Sequence, residues 1–199
     1  GLGLTNGTCA MTSVGSLALY DTICAAQLGD IIGSMDFEGL TGLRNAFDPR
    51  IHAVRGQKGQ MLVAENMAKL LDGSEIIDNC QNDRVQDAYA LRCIPQLHGA
   101  VRDALDYVLD KVEIELNAVT DNPLMFLEDE AVISGGNFHG DYVSLEMDKL
   151  KIAVTKMTML AERQLNYLFH DRINETLPPF VNLGKLALNY GLQAAQFTA

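Results

Sequence analysis

The stretch Val85-Gln-Asp-Ala-Tyr-Ala-Leu-Arg-Cys-Ile-Pro-Gln96 sets a carboxamide, a phenol and a guanidinium at every third residue, as Gln86, Tyr89 and Arg92. On a helical turn that spacing puts all three on one face. The face is polar although apolar runs flank it. A guanidinium offers a planar fork that suits a carboxylate. A phenol can pass a proton or a hydrogen bond. The set reads as a place for a ligand that carries a carboxylate. A solvated face beside a helix start is the plainer alternative.

Other residues add to this inventory. Glu162 lies beside the apolar seam of a long helical pattern. It is either a buried base or substrate contact, with a pKa raised by burial, or a solvated flank paired locally with Arg163. Gly135-Gly136-Asn137-Phe138-His139-Gly140 is not a phosphate loop, because it lacks the lysine and the preceding βαβ strand. Its adjacent glycines let the backbone turn sharply near a ligand; a tight hairpin exit is the structural alternative. His139 alone reads equally as a buried, satisfied histidine, and His52 reads as structural. No paired Cys/His pattern is present, so no metal site is expected. Asn6 by itself is an N-cap candidate.

The elements that must hold these groups are helical. Asn6 to about Ser34 reads as one long helix, with Met11, Val14, Ala18, Ala25, Leu28 and Ile32 at threes and fours. Gly15, Gly29 and Gly33 allow close helix contact. Phe37 to Gly59 reads as loop, Gln60 to Leu71 as a shorter helix ended by Asp72-Gly73, and Ser74 to Arg84 as a mobile polar segment. Pro95 opens the next helix, with Ile94 extended before it. Leu97, Val101, Leu105, Val108, Val112 and Val119 form its seam. Leu124 to Ile133 predicts a small hairpin around Glu128-Asp-Glu130. A second long helix spans about Asp141 to His170, with a near-heptad seam of Val143, Met147, Leu150, Val154, Met157, Ala161 and Leu168. Leu183 to Ala199 begins another helix. The sum is an all-α bundle of long, nearly antiparallel helices with one minor β-hairpin, a single domain over residues 1–199.

Composition narrows the function classes. The net charge of −11 argues against nucleic acid, and a hydrophobic content of 48% is enough for a core. No run of about 18 apolar residues is present, so no membrane partner is expected. Cys9, Cys24, Cys80 and Cys93 show neither metal spacing nor a dense framework, which points to reduced thiols in a cytoplasmic protein. The chain opens without Met and stops inside a helical pattern, so it reads as a fragment.

The wording of the 85–96 stretch resembles the VQDxYxLRCxPQ segment of the aromatic amino acid ammonia-lyase family, most closely its histidine-specific members. Gly3-Leu-Thr-Asn-Gly-Thr8, Asn117-Ala-Val-Thr-Asp-Asn-Pro-Leu124 and Ile133-Ser-Gly-Gly-Asn-Phe-His-Gly140 match in the same order, followed by Ala161-Glu-Arg-Gln164 and Leu177-Pro-Pro-Phe180. Ala88, Gln164 and the wording after Phe180 depart from the family's usual choices. The resemblance implies a fumarase/aspartase-like central helical domain and a homotetramer whose sites mix residues from several subunits. It implies conversion of L-histidine to trans-urocanate, with a tyrosine or phenylalanine ammonia-lyase or an aminomutase as the alternative. A non-catalytic helical oligomerisation module is the reading from a different class. The cofactor it implies is 4-methylidene-imidazol-5-one, formed autocatalytically from an Ala-Ser-Gly triad that this sequence does not contain. Carried over by position, Asn6 holds the electrophile region, Gln86 and Tyr89 lie next to electrophile and substrate, and Arg92 binds the substrate carboxylate. Phe138 is an aromatic wall, with His139 beside it, and Glu162 contacts the substrate.

Overall fold

The structure is a computed structural model and describes residues 5–82, 84–185 and 188–198. Its contacts group the chain into two compact units. One comprises Gly1–Ala25 and Ala104–Ala153, the other Ala26–Asp103 and Val154–Ala199. Three long helices, α1 (Cys9–Gly39), α6 (Ile94–Leu116) and α7 (Asp141–Phe169), each give one part to each unit. The hairpin β1 (Leu124–Phe126) and β2 (Ala131–Ile133) belongs to the first unit, paired antiparallel with Met125 opposite Val132. The second unit holds α2 (Pro49–Ala53), α3 (Lys58–Leu70), α4 (Glu75–Asn79), α5 (Tyr89–Arg92) and α8 (Asp171–Asn174).

Helix α1 corrects the face expected for it. Its buried stripe is Thr12, Leu19, Thr22, Ala26, Asp30, Ser34 and Phe37, one position on from most of the apolar stripe read in the sequence. Met11, Val14, Leu28 and Ile32 point outward, with Val14 70% exposed. The polar stripe can be buried because its hydroxyls bond locally. Thr12 donates to the Thr8 carbonyl at 2.8 Å and Thr22 to the Ala18 carbonyl at 2.7 Å. By length and composition, α1 is also long and apolar enough to cross a membrane, unlike the sequence expectation.

In α6, Val101, Leu105, Val108 and Val112 are buried as expected, whereas Val119 lies past the helix end and is exposed. Ile94 is already helical rather than extended, so Pro95 sits inside the first turn, where its missing N–H leaves no bond unmade. The α7 seam drifts by one residue. Val143 and Leu150 are buried, but Ala153 and Leu160 replace Val154 and Ala161, and Glu146 and Gln164 are buried among them. The 37–59 segment is not all loop: α1 runs to Gly39, a 3-10 turn spans Arg44–Phe47, and α2 follows. The described residues of segment 74–84 are pinned by specific bonds. Ser74 accepts from the Ile77 amide, Ile77 is fully buried, and Arg84 is bonded to two carbonyls. Beyond Pro179 the expected helix is absent among the described residues, and 3-10 turns at Pro179–Val181 and Gln193–Phe197 take its place. Leu186, Ala187 and Ala199 of that expectation, and Gly3 and Leu4 of the first family-like segment, lie outside the described residues.

The core of the second unit is built on Phe37, Leu40, Phe47, Met67, Leu71 and Ile77, with Leu91 and Ile94 inserted from either side of Arg92. Each such side chain contributes about 1.5–3 kcal/mol through burial. A Cβ on Gly59 would lie 2.2 Å from the Gly99 carbonyl oxygen, and one on Gly99 would lie 2.3 Å from the Gln60 nitrogen. The α3–α6 crossing is therefore a backbone-to-backbone contact that only glycine permits. His52 is buried as expected, bridging the Ala46 carbonyl at 3.0 Å and the Gln60 amide at 2.9 Å.

Burial pushes the half-buried Asp36 carboxyl up to about 6. The folded chain then holds this proton more tightly than the unfolded chain, where the value is about 4. Asp36 therefore subtracts stability as pH rises from about 4 through 6. The expected result is that Asp36→Asn raises the melting temperature of the full protein at pH 7 and leaves it unchanged at pH 4. An equal shift at both pH values would count against a desolvated carboxyl.

Candidate active site

In the first unit, three sequence-distant segments converge. Asn6 donates its amide to Asp121, whose Oδ1 also accepts the Asn122 amide at 2.7 Å. Thr8 donates to Glu115 at 2.6 Å. A Cβ on Gly7, whose φ is +69°, would collide with the Thr120 carbonyl. The Gly135 amide donates to the Asn122 side chain at 2.7 Å, and Asn137 reaches the Val119 carbonyl at 3.4 Å. Asn6 is thus fixed by the 117–124 segment and not by capping its own helix. On the same loop Phe138 is 46% exposed. His139 is exposed, with Nδ1 3.7 Å from Asp141; it is not a buried histidine.

In the second unit the aligned stripe is only partly a helical one. Gln86 precedes the helix, because the chain is extended to Ala88 (φ −60°, ψ 154°) and α5 begins at Tyr89. Tertiary bonds at Asp87 hold that extension. Gln86 and Arg92 still meet. They line one cavity of about 360 Å³ with Asn45, Ala46, Cys93 and Gln96. Arg92 Nε and Gln96 Oε1 are buried there without a hydrogen-bond partner among the described residues. Orphaned polar atoms of this kind are costly unless a ligand or water completes them. Tyr89 turns the other way. Its ring lies beneath the Arg92 guanidinium at 4.7 Å. It also lines a second, largely apolar cavity of about 360 Å³ with Cys93, Leu97, Leu160 and Tyr167. Burial raises the pKa of Tyr167 there, with Arg84 opposing it.

Glu162 takes the local alternative. Its carboxylate pairs with Arg163 and receives a 3.5 Å contact from Gln196, and it is half-buried. It lines neither cavity.

Two features were missed in the sequence. Gln96 stands four residues after Arg92, a spacing that signals proximity on a helix. Asp30 is 2% exposed and gathers His98 Nδ1 at 3.0 Å, Arg102 at 2.7 Å and Asn66 at 3.0 Å. Burial works to raise the Asp30 pKa, but the His98 and Asn66 hydrogen bonds and the Arg102 charge outweigh it and hold the carboxyl below its ordinary value. Among the described residues no group of three or more His, Cys, Asp or Glu side chains comes together that could hold a metal ion.

A family profile described as aromatic amino acid lyase matches residues 1–199. Histidine ammonia-lyase 1 of Fusobacterium nucleatum subsp. nucleatum is 49% identical over 199 residues, which is all of this chain and 38% of that protein. The chain therefore spans less than half the length of this relative. Among solved structures, histidine ammonia-lyase from Trypanosoma cruzi superposes with a TM-score of 0.86 at 35% identity, over 97% of this chain and 35% of that one. Tyrosine aminomutase from Streptomyces globisporus gives 0.88 at 35% identity, over 96% and 40%. The all-α fold with its minor hairpin agrees with these neighbours.

Proposed function

The chain belongs to the aromatic amino acid lyase family, and we propose that the full protein eliminates ammonia non-oxidatively from L-histidine to give trans-urocanate. The observation that carries this reading is the match of the whole chain, at 49% identity, to a histidine ammonia-lyase. A methylidene-imidazolone electrophile, formed from an Ala-Ser-Gly triad elsewhere in the full protein, would supply the activation of the amino acid. The residues present fit a site of that kind, because Gln86, Arg92 and Gln96 bring a guanidinium and two carboxamides to one cavity.

Within that reading Arg92 binds and orients the α-carboxylate through its planar fork. The Tyr89 ring lies against the guanidinium from one side, leaving its hydroxyl for a proton on the exposed side. Gln86 and Gln96 offer amide groups on the cavity wall. Asn6, locked to Asp121, Phe138 and His139 belong to the first unit, and by their family positions they are proposed as contacts to electrophile or substrate. Glu162, which pairs with Arg163 and meets Gln196 at 3.5 Å, is by its family position a contact to the substrate. The outward apolar stripe of α1, including Val14, Leu17, Tyr20 and Met35, supports burial in a homotetramer, since a monomer rarely leaves so long an apolar face in water. The acidic composition fits a cytoplasmic enzyme with a small-molecule amino acid substrate and no nucleic acid partner.

The likeness to tyrosine aminomutase favours a second reading, in which the ring is a phenol and the product a β-amino acid. Supplying the full protein with L-histidine, L-tyrosine and L-phenylalanine separates the two. Urocanate should form from histidine, with kcat/KM for the other two lower by on the order of 10²-fold or more. Formation of β-tyrosine, or faster turnover of tyrosine, would reject the histidine reading.

A further inference from the structure

Asp87 lies between Gln86 and α5 and is 6% exposed. Its Oδ2 accepts the Leu43 amide at 2.6 Å and its Oδ1 accepts Arg84 Nε at 2.6 Å. The other end of the Arg84 fork donates to the Leu40 and Thr41 carbonyls at 2.9 and 2.8 Å. Thr41 has a φ of +55°, a conformation that a β-branched residue adopts only under constraint. Leu43 is the residue that precedes the Arg44–Phe47 turn, and that turn supplies Asn45 and Ala46 to the Arg92 cavity. Asp87 thus ties the segment carrying Gln86 and Arg92 to a second segment that lines the same cavity.

The tie matters because α5 has four residues and Ala88 gives it no side-chain cap. A single helical turn has no stability of its own, since nucleation costs more than one turn of hydrogen bonds returns. The direction of Arg92 is set by what holds the turn: the buried Leu91 and Ile94, α6 that starts just after it, and, among the described residues, two polar tethers, Asp87 at its entry and Gln164 donating to the Ala90 carbonyl at 3.3 Å on its flank. The Asp87 bonds are shorter, charged and buried, and are the stronger of the two.

We infer that Asp87 is a positioning residue for the carboxylate-binding guanidinium of Arg92. It acts by fixing the entry to α5 and the width of the cavity in front of it. The inference rests on the reading of Arg92 given above. Asp87→Asn in the full-length enzyme keeps an acceptor for Leu43 and loses the charge that aligns Arg84. Binding is compared for two competitive ligands, imidazolepropionate, which has the carboxylate, and histamine, which lacks it. The expected result is a loss of ~10-fold or more for imidazolepropionate and less than ~3-fold for histamine. The effect should largely vanish in an Arg92→Lys background, because both changes then remove the same interaction. Equal weakening of both ligands, or full additivity with Arg92→Lys, overturns the positioning role and leaves the proposed function standing. If Arg92→Lys alone does not alter the preference for the carboxylate ligand, the assignment of Arg92 falls, and this inference with it. Should Asp87→Asn fail to fold, Arg84→Lys keeps the charge and loses the fork; it should weaken imidazolepropionate selectively, and equal weakening of both ligands again overturns the role.

Discussion

Arg92→Lys in the full-length protein should lower kcat/KM for L-histidine by ~10²-fold or more, about 2.7 kcal/mol of transition-state binding. Lysine keeps the charge, so the loss measures geometry. An ammonium is a point charge on a flexible stem. It can neither form two parallel bonds to a carboxylate nor lie flat on the Tyr89 ring. The loss should be similar for any other aromatic amino acid that is turned over, because every such substrate has the same α-carboxylate. The melting temperature should move little, since Arg92 Nε has no protein partner to lose. Paired steady-state kinetics and thermal melts decide it. Retained activity with a much lower melting temperature would make Arg92 a structural residue and remove the cavity from the site.

A second large effect is expected far from that cavity. Asp30→Ala should destabilise the protein by ~3–5 kcal/mol, the usual cost of removing one partner of a buried charged pair. Three donors, His98 Nδ1, Arg102 Nη2 and Asn66 Nδ2, converge on this one carboxylate. Arg102 also donates to the Ala26 carbonyl at 3.1 Å. Because the folded pKa of Asp30 is lowered, its contribution is fully present above the unfolded value of about 3.9 and is lost as pH falls through the folded value. The gap between parent and variant should therefore be wide at neutral pH and narrow below about pH 4. Denaturant titrations at both pH values give the measurement. A loss below about 1 kcal/mol at neutral pH, or a gap that does not narrow in acid, would show that the network is a neutral one.

The elements legible in the sequence are those whose apolar period coincides with the face the fold buries, or whose bounds the turn residues mark. The Val101 to Val112 seam of α6, the extent of α7 and the hairpin follow from these. The buried face of α1 lies one residue on from the expected one because its period is apolar on the outside, while its inner face mixes Leu19, Ala26 and Phe37 with polar residues, of which Thr12 and Thr22 satisfy their own hydroxyls. An acid in a glycine-rich helix looks like a solvated flank. Asp30 becomes a hub only through residues 36 to 72 positions away. The site divides the same way. Arg92 and Gln86 were found from residue type, but their shared cavity depends on the extended segment that Asp87 holds against Leu43. No local propensity specifies that segment. The helix expected after Leu183 has the right composition, yet Phe180 and Val181 are both left-handed and the chain turns there instead.

The partition of α1 between the two units bears on how this protein is made. The first half of the helix finds its unit partners only in residues from Ala104 onward, about 80 residues later in the chain. At ~5–20 residues per second of synthesis, that is a delay of roughly 4–16 s. During it, Thr12, Leu19 and Thr22, the residues of this half that the fold buries, have no surface of their unit to rest against, and the outward Val14, Leu17 and Tyr20 add to the exposed apolar length. A nascent chain carrying so apolar a segment for seconds is a natural client for a ribosome-associated chaperone. Slowing translation between residues 25 and 104 should then lower the soluble yield more than slowing it after residue 153.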